Sequence, residues 1–176
     1  MFKRLVLLTI IVAVLTAVPA SALDFQQKQW YGQGIVALPM GDFGDFANLG
    51  LGLGAGLTVP HNAEWAFRGE ISYTWFSTED IPGYDTSASL VPVTVLAQYN
   101  LEASKFYFLG GLGLVFANAS VDYNIGGITG SESDTSTEFG LTLGSGYVVS
   151  PKVDLGARFN FISDANTFSM HVVYKF

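Results

Sequence analysis

The sequence predicts an all-β protein: an eight-stranded antiparallel up-and-down transmembrane β-barrel, preceded by a cleavable signal peptide. Three observations predict it. An export leader opens the chain, apolar residues then recur at every second position in successive segments, and short turns alternate with longer polar connections. Composition agrees. Of 176 residues, 49% are hydrophobic, 14% aromatic and only 13% charged, with no cysteine. Such a chain is too apolar for disorder and has neither a disulfide framework nor a thiolate metal site. Fifteen acidic residues against eight basic ones leave no basic footprint for nucleic acid.

Lys3 and Arg4 precede an apolar run from Leu5 to Val18, closed by Pro19. Ala20-Ser21-Ala22 supplies the small-x-small pattern of a signal-peptidase site, so cleavage is placed after Ala22. A run of that length is short of the ~20 apolar residues that a spanning helix needs. Residues 1–22 therefore read as leader and 23–176 as one barrel domain. The leader carries two cations and no acid, so the mature chain is more acidic still.

The mature chain lacks a helical period and repeats with period two. Trp30 to Leu38 alternates weakly, with glycines at 32 and 34. Leu51, Leu53, Ala55 and Leu57 alternate with Gly50, Gly52, Gly54 and Gly56. Trp65, Phe67, Ile71, Tyr73 and Trp75 oppose Ala66, Arg68, Glu70, Ser72 and Thr74. Leu90 to Leu101 alternates around Pro92, which cannot donate to a ladder and so is expected near a rim. Segments from Phe106, Phe139 and Val153 repeat the pattern, and Phe168, Met170, Val172, Tyr174 and Phe176 close it. Eight strands of about 9–11 residues would each cross a bilayer when tilted. Short turns are expected at Pro60–Glu64, Glu102–Ser104 and Ser150–Pro151, and longer loops at Pro39–Asn48, Ser77–Ala88 and Asn118–Thr137, with Ser163–Thr167 on the same side.

A soluble barrel or sandwich would turn the apolar face inward. The opposite face would then be solvated, yet it is the apolar one that carries the strand-end aromatics of interfacial girdles. Small exported soluble domains also usually rely on disulfides. The face carrying Arg68, Glu70, Glu138, Asp154 and Arg158 instead reads as a polar lumen. Buried charges must pair, so Arg68, Glu70, Asp154 and Arg158 are expected to form a lumen network, with Glu138 higher up.

The last nine residues, Phe168-Ser-Met-His-Val-Val-Tyr-Lys-Phe176, resemble the terminal β-signal of bacterial outer-membrane proteins, carried by Phe168, Met170, Val172, Tyr174 and Phe176. With the leader and the segment Pro39-Met-Gly-Asp-Phe-Gly-Asp45, the whole mature chain resembles the outer membrane β-barrel family of small OmpA/OmpX-type proteins. The last predicted strand ends the sequence, so the peptidoglycan-binding domain of OmpA-type proteins is not expected. The resemblance implies the bacterial cell outer membrane, outer-membrane lipid as surroundings, and periplasmic chaperones and the outer-membrane insertion machinery as assembly partners. An even strand count places both termini in the periplasm and the long loops outside, and a monomer is expected.

Candidate chemistry is sparse. Gly50-x-Gly52-x-x-Ala55 fits a loose dinucleotide pattern but lies in a strand with no helix after it; room in a narrow lumen explains the glycines better. His61 and His171 have no metal-ligand spacing around them. His171 is followed at the second position by Val173, so the His-x-Ser order of barrel lipid A deacylases is not matched. No cofactor, metal or catalytic set is expected. The expected role is structural or surface-interacting. A small-conductance or hydrophobic-solute channel is the alternative, and a lipid-modifying enzyme a more distant one. The long-loop side gathers Asp42, Asp45, Glu79, Asp80, Asp85, Asp122, Glu132, Asp134 and Asp164 without any Lys or Arg. Such a field can simply solvate the loops. It can also attract divalent cations or a basic partner.

Overall fold

A computed structural model describes residues 25–78, 84–125, 128–163 and 165–176. The predicted leader, with Ala20 and Ala22, lies outside them. Eight antiparallel strands close into a barrel in simple sequence order: β1 Gln29–Pro39, β2 Ala47–Pro60, β3 Trp65–Thr78, β4 Tyr84–Asn100, β5 Phe106–Ile125, β6 Ile128–Ser150, β7 Val153–Ile162 and β8 Thr167–Lys175. The seam joins β1 to β8 in unbroken register from Tyr31↔Lys175 to Pro39↔Thr167. A 3-10 turn, Phe25–Gln27, precedes β1, and a five-residue helix α1, Asp42–Phe46, follows it. Gly41 enters α1 at φ 62°, a conformation that L side chains resist.

The predicted faces hold in every strand. Leu53 (67% exposed), Met170 (58%) and Val172 (55%) point away from the barrel axis, while Arg68, Glu70, Asp154 and Arg158 are buried. The outer aromatics gather into two belts. Near the short turns are the pairs Trp65–Tyr99, Phe106–Tyr147 and Tyr174–Phe176, with ring centroids 4.9, 4.8 and 5.5 Å apart. Near the other end are Tyr73–Trp75 and the Phe159–Phe161–Phe168 group. A band of Leu, Ile and Val lies between. Monomeric soluble proteins rarely expose apolar patches beyond a few hundred Å²; here the apolar surface encircles the molecule, as a lipid-facing wall does.

Strand lengths differ from the expectation. β7 and β8 have 10 and 9 residues, but β4, β5 and β6 have 17, 20 and 23. The segment expected as the loop Asn118–Thr137 is a paired hairpin up to Ile125↔Ile128. β4 joins it, with Asp85 opposite Asp122. The Ser/Thr/Asn-rich composition hid the alternation, yet Ala117, Ala119 and Val121 still share one face. Within the expected loop Pro39–Asn48 lie α1 and the start of β2. Pro92 also departs from expectation, standing in mid-β4. The sheet accommodates it because β3–β4 pairing lapses between Ile71↔Val93 and Thr74↔Leu90, while Pro92 stays opposite Val115 of β5.

Candidate functional site: the lumen and its outer plug

Lumen chemistry begins with two tyrosine–glycine pairs. Tyr31 stands opposite Gly56 and Tyr107 opposite Gly146. A Cβ on either glycine would run into the tyrosine ring. Glycine therefore lets each ring lie flat along the lumen wall. The two rings flank Arg68, whose guanidinium carbon is 5.3 Å from the Tyr31 centroid and 4.9 Å from that of Tyr107. Both distances suit cation–π attraction in a desolvated setting.

The structure brings Arg68, Glu70, Asp154 and Arg158 together. Arg158 donates to both oxygens of Glu70, at 2.5 and 3.0 Å, the fork geometry that strengthens a buried pair. Arg68 lies 3.8 Å from Asp154 and donates through Nε to Gln98 at 2.6 Å. Lys175 adds an ion pair to Asp154 at 2.7 Å. The Tyr31 hydroxyl donates to Glu70 at 2.5 Å, and that of Tyr107 to Asp154 at 3.4 Å. Glu138 does not join: it is half-buried farther along the lumen, with no ion pair to the other four.

A second chain crosses the seam and was not legible in the sequence. His171 Nδ1 is 3.0 Å from Gln33 Oε1, an acceptor, so Nδ1 carries the proton. Nε2 then accepts from the Ser169 hydroxyl at 2.9 Å, and Ser169 in turn accepts from Asn160 at 3.2 Å. Gln33 completes the chain by donating to Glu70 at 3.5 Å. Ser169 stands two residues before His171, the reverse of the order sought in the sequence. The connectivity is that of nucleophile, base and orienting group. Ser169, however, lies in ladder pairs on both sides, opposite Ala37 and Arg158, which commits its backbone to the sheet. The cavity before it offers about 50 Å³ to water centres, room for a few waters.

Above that cavity the lumen turns apolar. Ile35, Phe76, Leu90, Val115 and Ile162 form a buried cluster, on which Phe43 of α1 packs edge-on to Phe76 at 5.0 Å. The acids of this end divide. Asp42 and Asp45 are on α1, and Asp122, Glu132 and Asp134 stand exposed on strands β5 and β6 rather than in loops. Glu79, Asp80 and Asp164 lie outside the described residues, and of Asp85 only the backbone is described. Among the described residues no three metal-ligating side chains converge. The residues of the terminal motif, Phe168, Met170, Val172, Tyr174 and Phe176, all stand on the outer face, with Phe176 just beyond β8.

A closed, even-stranded barrel with a charged lumen, an apolar outer wall and two aromatic belts defines a transmembrane barrel of the outer-membrane type. The profile of the outer membrane protein beta-barrel domain matches residues 10–176, and the chain belongs to that family, whose place is the bacterial outer membrane. Solved structures agree in fold. Ail, the attachment invasion locus protein of Yersinia pestis, is 17% identical with a TM-score of 0.63, covering 85% of this chain and 97% of its own. It is also known in complex with the heparin analogue sucrose octasulfate. Neisserial surface protein A (19%, TM-score 0.52) covers 85% of this chain and 97% of its own. The N-terminal β-barrel domain of Pseudomonas aeruginosa OprF (10%, 0.58) covers 84% and 97%. No curated protein sequence matches the chain.

Proposed function

We propose that this protein is a monomeric surface-interaction barrel with a filled, non-catalytic lumen, whose long-hairpin end faces the cell exterior and whose short turns face the periplasm. The observation that carries the reading is the stacking of two barriers in one narrow lumen. The Arg158–Glu70 pair spans from β7 to β3, and the Phe43–Phe76 plug covers it. An eight-stranded barrel is only just wide enough for its own side chains, and these ones meet across it. Outward orientation of the long hairpin follows the usual asymmetry of outer-membrane barrels. Ail is known in complex with a heparin analogue, a polyanion; the long-hairpin end of this chain is acidic, so a sulfated polysaccharide is disfavoured there and a basic partner favoured. Single-channel recording of the refolded barrel in planar bilayers tests the filled lumen. The expected trace shows no steady conductance, and a large steady one overturns the reading in favour of a channel.

A further inference from the structure

At the long-hairpin end a cleft opens between α1 and the inner face of the β4–β6 sheet, offering about 190 Å³ to water centres. Phe43 and Phe46 form one wall, Ala88, Leu90 and Ala117 the other, and Asp134 and Glu138 of β6 project along it. The cleft is continuous with the apolar plug through Phe43 and Leu90, yet Phe46 leaves 42% of its surface exposed. Glu138 is half-buried against these apolar walls with no ion-pair partner among the described residues. Asp42 and Asp45 stand on α1, and Glu132 and Asp122 lie farther out along the β5–β6 hairpin, beyond the Ala119↔Asp134 pair. The basic residues of the barrel, Lys28, Arg68, Lys105, Lys152, Arg158 and Lys175, lie in the lumen or toward the short-turn end.

We propose that this cleft is a docking site for a cationic amphipathic peptide, which seats an apolar side chain between Phe46 and the Ala88–Ala117 wall and one Lys or Arg on each of Asp134 and Glu138. The inference rests on the outward orientation proposed above. Charge complementarity selects the occupant. A second copy would bring acids against acids, which is repulsive. A bare divalent cation has no use for the apolar walls, and a neutral lipid would desolvate two carboxylates without pairing them. A peptide carrying both kinds of side chain satisfies both surfaces, and the other carboxylates of this end steer it in.

The test is fluorescence anisotropy with the full barrel, refolded in detergent and checked by heat-modifiable gel migration. The probe is a labelled ten-residue peptide of alternating Lys and Phe, at about 0.15 M salt, where screening acts beyond about 8 Å. Saturable binding is expected. Asp134→Asn with Glu138→Gln should weaken it about tenfold or more, since charge-assisted contacts are lost. The charge-matched pair Asp122→Asn with Glu132→Gln, farther along the hairpin, should change it less than about twofold because it alters only the screened field. Phe46→Ser should weaken binding of the Phe-containing peptide and leave that of a Lys–Ser peptide unchanged. Equal loss in both charge-matched pairs, equal affinity for the Lys–Ser peptide, or no saturable binding overturns the proposal. Orientation is read separately, by labelling Ser133→Cys on intact cells with an impermeant maleimide. Binding without labelling overturns the outward orientation and supports the cleft; labelling without binding overturns the cleft and supports the orientation.

Discussion

Arg158 reaches Glu70 through two terminal nitrogens while each side chain is about 95% removed from solvent. Taking two charges into such a place costs several kcal/mol each, and their attraction offsets that only when geometry and further hydrogen bonds are good. Here Tyr31 and Gln33 supply additional donors to Glu70. Removing one member strands the other. Arg158→Met or Glu70→Gln is expected to lower the unfolding free energy by about 3–5 kcal/mol, read by urea denaturation in detergent micelles. The double variant should recover most of the loss, because no unpaired charge remains; a loss below about 1 kcal/mol for either single change would show that the pair does not hold the lumen. Arg68 is held differently, between two aromatic faces with Gln98 at its Nε. A lysine there would keep the charge and lose the planar stacking.

Between residues and the whole, the strands use glycine in two distinct ways. Inward-facing Gly56 and Gly146 make room for tyrosine rings, so a methyl group there must displace the ring and the hydrogen bond it makes. Outward-facing Gly34 has nothing within 4 Å of where a Cβ would stand. Gly56→Ala should therefore destabilise the barrel by about 1–3 kcal/mol, as overpacking does. Gly34→Ala should be neutral or stabilising by a few tenths, because the unfolded chain loses freedom. Parallel urea titrations of the two variants check this, and equal effects would refute the packing argument. The hairpin shows a further economy of the sheet. Between Ile128 and Phe139 the β7 side of β6 has no ladder partner among the described residues, and Glu132, Asp134 and Glu138 line that stretch. Charge along an open edge discourages pairing with other chains.

For the molecule as a whole, closure depends on the last strand. β8 pairs with both β7 and β1, and the Phe176 amide donates to the Trp30 carbonyl at 3.0 Å across the seam. Lys175 ties the inner side to Asp154, while the Phe176 side chain is 76% exposed to the surroundings. That division separates assembly from stability. Deleting Phe176 should slow insertion in cells, followed by pulse-chase and heat-modifiable migration, as the resemblance of the last strand to a terminal β-signal implies. The folded barrel, once formed, should differ in urea stability by less than about 1 kcal/mol, as changes at exposed sites usually do. Unchanged assembly kinetics would count against the terminal motif as a signal.

Strand alternation is a local property, and each side chain's face follows from its parity along the chain. For that reason Trp65–Trp75, Val153–Phe161 and Phe168–Phe176 disclosed both the barrel and its lipid-facing wall without any tertiary information. Parity also placed Arg68, Glu70, Asp154 and Arg158 inside. It could not say which of them touch, because partners separated by 88 residues meet only after closure sets tilt and stagger around the lumen. Tyr31 and Gln33 were missed because β1 shows glycines on its lipid face, so its inward residues stood out neither as a core nor as a site; His171, weighed only as a metal ligand or catalytic base, meets Gln33 only once β8 closes on β1. The extension of β5 and β6 was hidden by Ser, Thr and Asp, which read as loop residues until neighbouring strands supply the ladder. Only the closed barrel brings Phe43 onto Phe76, and Asp134 and Glu138 beside Phe46, since those contacts join elements that no sequence period connects.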